Sequence, residues 1–402
     1  MPSASSPPAR LWDGAFRWFY FGRIIDLTGS AMTPVVLTLA VLERTGSARH
    51  VGIVLAANVA ATVAFILIGG VVGDRWARSR ILVTTALVAG VMQLGMAAVV
   101  FGQEFHLPLM SLFAAATGLL GAFNTPALRG IVPELVLPAN VQRANALLAT
   151  GRHLARIGAP ATAGILVVTI GGGWALVIDA ITFLIAAACF TRLPHTGIAP
   201  KRTALVRELR AGWSTFISLR WIWVLTLCYF AVNLLLVGPW QVLGPLVVTQ
   251  TYGATTWGVL LSLRGVAMVA ASALVAVVRF SNPLIGGLLL GTLSALPLAA
   301  LGVGATLPVL IAAVMVAAMG MSAAMITYDT CLQRYIPANK LSRVTSYDDA
   351  FAFAAVPLSQ LAAGPLAEVI GIHRLLGMCA LGIVAFQLLP LISPAVRQVS
   401  RQ

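Results

Sequence analysis

The chain has 402 residues, of which 59% are hydrophobic and only 9% charged, and its mean hydropathy is +0.94. Soluble domains carry about 25% charged residues, so this composition excludes a water-soluble enzyme, a disordered chain and a collagen-like chain. The net charge of +14 has two readings: a nucleic-acid footprint, or a polytopic membrane protein that keeps its basic loops on one side. The cysteines Cys189, Cys228, Cys331 and Cys379 lie far apart. They suggest neither a metal site nor a disulfide framework, and no cofactor is expected.

A helix needs about 20 apolar residues to cross the hydrocarbon. Residues 1–12 are polar and Pro-rich and read as a short cytoplasmic tail, not a signal peptide. Beyond them, twelve spans are expected near 16–41, 51–73, 81–101, 107–128, 145–169, 174–192, 221–248, 254–278, 283–303, 307–329, 346–370 and 373–393. The charge-free run 280–328 holds two of these, divided at Gly302-Val303-Gly304-Ala305-Thr306. The loops are therefore short, with no room for a separate soluble domain.

Basic residues set the orientation. With the N-terminus in the cytoplasm, most of the 26 Lys and Arg fall at or near the inner face. Only Arg44, Arg49 and Arg374 fall outside, while Arg23, Arg152, Arg156 and Arg264 fall within spans. That asymmetry accounts for the net charge without nucleic acid. It predicts a multi-pass protein of the plasma membrane, embedded in the lipid bilayer as a monomer with both termini cytoplasmic. The long basic loop 193–220 contains an amphipathic stretch suited to the anionic inner leaflet. It divides the chain into an N-terminal six-helix bundle (1–192), a linker (193–220) and a C-terminal six-helix bundle (221–402).

The halves echo one another. Ala48, Gly52 and Ala61 align with Ala254, Gly258 and Ala267. A second echo pairs the stretch from Ile157 with the stretch from Ala354, each with an early Pro and a Gly at the outer end.

The turn after span two reads Gly70-Val71-Val72-Gly73-Asp74-Arg75-Trp76-Ala77-Arg78-Ser79-Arg80. It resembles the signature loop of the major facilitator superfamily, with Ala77 where that family usually has Gly. The resemblance implies a latch between helices, in which Arg78 and Arg80 pair with acids such as Asp348 or Asp349 at the start of span eleven. Arg129 belongs to the same cytoplasmic gate. Gly158, Pro160 and Gly164 in span five resemble the motif of exporters in this superfamily, with Ala159 replacing the Gly usually before the Pro. Ordinary Gly and Pro use in membrane helices explains the same residues. Stretches in span one, after span four and after span ten look like the branch of enterobactin-type siderophore exporters and macrolide efflux proteins. The implied fold is all-α: twelve transmembrane helices in two pseudo-symmetric six-helix bundles, with a substrate site between them.

Ionisable residues inside a membrane are expensive and mark function by default. Asp26 sits near the middle of span one, three residues after Arg23, so both project from one helical face. Either Asp26 carries the proton and anchors cationic substrates, or the pair only neutralises itself. Arg264 in span eight aligns with Asn58 in span two, and both are candidates for the cavity wall. Asn233, Trp240 and Gln241, near Pro239 and Pro245, predict a broken, partly polar span seven. Arg152, His153 and Arg156 are expected at the inner gate or at the headgroups, and Asp179 and Glu368 near outer helix ends as structural residues.

These features point to a secondary transporter that exports small organic molecules by alternating access, with the proton as coupling ion. A facilitator-type nutrient importer shares the fold, and a membrane sensor or scaffold is the third reading. No Walker motif, His cluster or Ser-His-Asp set suggests an enzyme.

Overall fold

A computed structural model describes residues 12, 14–75, 77–137, 140–194, 213–214, 216–277, 282–336 and 338–399. Within some of these helices only the backbone is described. Twelve helices are long and apolar enough to cross a membrane. They are α1 (Ala15–Thr45), α2 (Ala48–Arg75), α3 (Arg78–Phe101), α4 (Leu107–Leu135), α5 (Val141–Ile170) and α6 (Gly172–Phe190) in the first half. The second half comprises α7 (Arg220–Tyr252), α8 (Ala254–Val277), α9 (Pro283–Gly302), α10 (Leu307–Tyr335), α11 (Ala338–Ile370) and α12 (Ile372–Ile392). In hydrocarbon every backbone group must be bonded internally, and helices do this within one segment.

Each long helix reverses direction at its end, so the turns gather at two ends of the bundle. At one end, the tight-turn end, three of the turns are a single residue. Gly171, Gly253 and Gly371 are each the single residue between two helices, with φ of 85°, 91° and 90°. Only glycine takes that left-handed backbone without a Cβ penalty. A Glu43 carboxylate oxygen accepts the Gly172 backbone N–H at 3.0 Å there, satisfying one open donor of α6. The opposite, basic end carries the α2–α3, α4–α5, α8–α9 and α10–α11 turns.

Packing repeats with a six-helix period. In the first half α2 packs on α4, α3 on α6, and α1 on α5 and α6; in the second, α8 packs on α10, α9 on α12, and α7 on α11 and α12. Between halves, α2 packs on α11 and α5 on α8. Asn58 and Arg264, aligned in the sequence repeat, obey this symmetry. Asn58 on α2 donates to Ala114 O and Thr117 Oγ1 of α4, whereas Arg264 on α8 reaches Met321 of α10.

The expected break in the seventh span is a π-helical turn, Pro239–Leu243, in the middle of α7. Pro239 and Pro245 supply no backbone N–H, which frees carbonyls on the preceding turn. Most of the basic linker lies outside the described residues. At its end, Trp213 and Phe216 stack on Phe351 of α11, and Phe216 is fully buried. These two rings pack on the second bundle; most of the amphipathic stretch expected on the inner leaflet lies outside the described residues.

Candidate functional site

The halves meet where small residues let backbones touch. On α5 and α8, a Cβ on Gly258 would stand 2.6 Å from Pro160 O and 3.2 Å from Gly164 Cα. One turn-pair further in, a Cβ on Gly265 would stand 3.2 Å from Arg156 O. Ser262 Oγ accepts the Ala161 N–H at 3.1 Å, the hydroxyl taking up a backbone donor beside Pro160. On the other side, a Cβ on Gly52 of α2 would run into Gln360 O of α11, and one on Gly364 would stand 2.8 Å from Arg49 Cα. These crossings run from the tight-turn end to about mid-membrane. Of the span-five motif, Pro160 and Gly164 build a crossing, while Gly158 faces open space.

A cavity of about 390 Å³ lies between the halves, alongside these crossings. Its polar wall is Arg156 from α5, Arg264 from α8, and Gln241 with Trp240 from the π-helical turn; Trp257 of α8 completes the aromatic side. Trp240 and Trp257 are buried, with ring centroids 4.8 Å apart at 47°. Gln360 of α11 donates to Gln241 Oε1 at 2.8 Å. Arg156, expected at the inner gate, instead reaches this cavity. It precedes Pro160 by four residues, so both share one face of α5. Asn233 is absent from the wall: it donates to Ala352 O at 2.9 Å and ties α7 to α11. Its amide is consumed by the helix contact that α11 requires.

A second pocket of about 230 Å³ lies inside the first bundle, among α1, α2, α3, α4 and α6. Asp26 and Asn58 line it, with Thr33, Thr62, Gln93 and Asn124. Asp26 is buried and ion-paired with Arg23 one turn earlier on α1. The two pockets share Pro34 and Leu55 as a common wall. Asp26 and Asn58 thus sit beside the inter-half cavity and not on its surface, because the face of α1 that carries Asp26 turns into its own bundle.

Beyond Asp26 lies a buried acid placed by the sequence at a helix end. Asp179 stands about two turns inside α6, with no exposed surface. Thr33 Oγ1 donates to its Oδ2 at 2.6 Å, and the Gln93 amide donates to the same oxygen. Gln93 also donates to Thr33 Oγ1 at 3.0 Å. A Cβ on Gly29 of α1 would stand 2.9 Å from Asp179 Oδ1, so glycine there admits the carboxyl between helices. The signal available in sequence was the polar trio Thr33, Gln93 and Asp179 in three predominantly apolar spans.

At the basic end, Arg78 at the start of α3 pairs with Glu134 at the end of α4, with Nη1 to Oε1 at 2.6 Å. Asp348, one of the two acids expected to pair with it, lies buried inside the second bundle. It accepts from Thr226 Oγ1 at 2.5 Å and Tyr328 Oη at 2.8 Å, which holds it out of reach of the α2–α3 turn. Arg80 is exposed. Gly70, Asp74 and Arg75 fall on the last turns of α2, but their side chains, like those of Arg129 and Asp349, lie outside the described residues. Among the described residues, no His, Cys, Asp and Glu cluster could hold a metal ion.

Two six-helix halves, crossing at one end over a cavity at mid-membrane, define an integral-membrane transporter fold. The Major Facilitator Superfamily model matches residues 19–355, and the chain belongs to that family. It is a multi-pass membrane transporter and not an enzyme. The chain is 25% identical over 394 residues to the multidrug efflux pump Tap of Mycobacterium tuberculosis, covering 94% of this chain and 93% of Tap. Against the enterobactin exporter EntS of Salmonella typhimurium it is 23% identical over 187 residues, 46% of this chain and 45% of EntS. Among solved structures, a variant of the nucleoside transporter NupG superposes with a TM-score of 0.79 at 11% identity, covering 94% and 99% of the two chains. A bacterial homolog of the human lysosomal transporter Spinster, inward-facing and unoccupied, superposes at 0.71 with 14% identity, covering 99% and 98%.

Proposed function

We propose that this protein exports small amphipathic organic molecules across the plasma membrane by alternating access, exchanging each for a proton. The basic end with both termini faces the cytoplasm, and a single chain performs the cycle. One observation carries the reading: among the described residues, the close glycine crossings between the halves lie from the tight-turn end to mid-membrane, and the cavity lies alongside them. With the basic end inward, this is a state closed to the outside. Similarity to Tap and EntS supports the outward direction.

In this reading substrate occupies the inter-half cavity and the proton occupies Asp26 in the neighbouring pocket. A proton arriving on the Asp26 carboxylate removes its charge and releases Arg23 from the ion pair. The shared wall of Pro34 and Leu55 transmits the change. Pro34 leaves the carbonyl one turn earlier without its helical donor, so α1 bends there at low cost.

Inverted vesicles test this. A multidrug dye added outside is concentrated inward when the vesicle lumen is acidified, and collapse of the pH gradient stops uptake. Asp26→Asn leaves the protein in the membrane and abolishes gradient-driven uptake; a mutant that concentrates dye normally overturns the proton assignment.

A further inference from the structure

The cavity between the halves carries its own statement about charge. Its wall contains two guanidinium groups, Arg156 and Arg264, and no carboxylate. They come from helices in contact: the Arg156 carbonyl lies against Gly265, the residue after Arg264. Among the described residues, neither arginine has an acid within ion-pairing distance; the acids that do pair are Asp26 and Glu134, with Arg23 and Arg78. Among the described residues, the half-buried Arg264 reaches only the Met321 sulfur, at 3.7 Å. A thioether is a weak acceptor that leaves most of the five guanidinium donors unused.

Arg156 is exposed into the cavity and Arg264 is half-buried at mid-span; a half-buried guanidinium without a counter-charge is costly in a protein at rest. The cost is offset if the occupant is an anion. Guanidinium groups take carboxylate, sulfonate or phosphate oxygens through charge-assisted, often bidentate bonds. Beside them the tilted Trp240–Trp257 pair gives a broad, rigid apolar surface, suited to a flat ring. A volume of about 390 Å³ admits a drug-sized molecule.

We propose that the transported class is organic anions with a planar aromatic body, the acidic group held between Arg156 and Arg264 and the ring lying on Trp240 and Trp257. Cationic drugs are then disfavoured, because Asp26, the one acid nearby in α1, is held by Arg23 in the adjoining pocket. The proposal rests on the transport reading above but commits the cavity to one sign of charge.

The test uses the full chain in phosphatidylcholine nanodiscs with naphthoate, naphthylmethylammonium and neutral naphthylmethanol, titrated by calorimetry. Naphthoate binds on the order of tenfold tighter than the other two. Arg264→Gln and Arg156→Gln each remove that preference, Arg264→Lys keeps most of it, and Arg264→Glu reverses it. Unchanged thermal melting of each variant separates lost binding from lost fold. Adding phosphatidylglycerol leaves naphthoate affinity unchanged if the site takes soluble anions; displacement of naphthoate by that lipid overturns the assignment. Equal or reversed charge preference in the parent chain overturns it too, while export of a cationic dye in the vesicle assay leaves the export reading intact. Anion binding without export of any dye has the opposite meaning: the charge assignment holds and the export reading fails.

Discussion

Gly164 on α5 and Gly258 on α8 face one another so closely that a Cβ on either would stand 3.2 Å from the Cα of the other. Gly258 also aligns with Gly52 in the sequence repeat, and Gly52 packs on α11 in the same manner. The two inter-half crossings are thus built from one repeated glycine, and they are the contacts that alternating access has to make and break.

Gly258→Val should therefore hold the tight-turn end apart. Overpacking a close crossing costs about 1–3 kcal/mol, enough to invert an equilibrium between two states separated by a similar amount. A cysteine placed at Ala254, near the start of α8, is expected to gain reactivity toward a membrane-impermeant thiol reagent. Transport should fall about tenfold with expression unchanged. Normal transport with an unreactive cysteine would mean the crossing does not set the state.

Arg23 and Asp26 can be separated from general stability by a double-mutant cycle. Removing one partner of a buried ion pair leaves an uncompensated charge and costs about 3–5 kcal/mol. Asp26→Asn and Arg23→Gln should each lower the melting temperature in lipid nanodiscs, and the double variant should recover most of the loss. Proton-driven uptake should stay absent in all three. Recovery of uptake in the double variant would make the pair structural.

The spans were legible because length and missing charge are one-dimensional signals, and the turn at Gly302–Thr306 was read from glycine alone. Depth was less so. Asp179 was assigned to a helix end because the expected span began at 174, whereas α6 starts at Gly172, which places Asp179 about two turns in from the helix start. Arg156 looked like a gate residue until the crossing at Gly265 fixed which face of α5 meets α8. In apolar helices flanked by lipid and protein alike, periodicity does not reveal which face meets a neighbour. Partner choice for Arg78 was illegible for a related reason: Glu134 and Asp348 are both plausible in sequence, and only Thr226 and Tyr328 show that Asp348 is already engaged.

Asp179 gives a third test. Replacing it with Leu removes the acceptor that the Thr33 hydroxyl and the Gln93 amide share; Thr33 falls back on Gly29 O at 3.0 Å and Gln93 keeps its bond to Thr33, so one amide N–H is left unsatisfied at about 1–3 kcal/mol. Asp179→Asn retains a carbonyl oxygen in the same place. The melting temperature should drop sharply for Asp179→Leu and only slightly for Asp179→Asn. Equal drops would show that the charge, and not the acceptor, holds α1, α3 and α6 together.

The Arg78–Glu134 pair at the basic end is partly exposed, with side-chain accessibilities of 23% and 13%. Such pairs contribute little stability, roughly 0–1 kcal/mol, so melting should barely move when either is neutralised. The pair nevertheless joins the start of α3 to the end of α4 within one half, occupying the arginine that the latch reading assigns to the other half. If closing the basic end requires Arg78 to leave Glu134, then Glu134→Gln frees the arginine and speeds departure from the present state. Turnover at saturating substrate should rise or fall several-fold in Glu134→Gln, according to which step limits the cycle. Arg78→Gln, which removes the latch as well as the pair, should only slow it. The double variant should match Arg78→Gln and show no sum of effects. Identical turnover in all four proteins would remove Arg78 from the conformational cycle altogether.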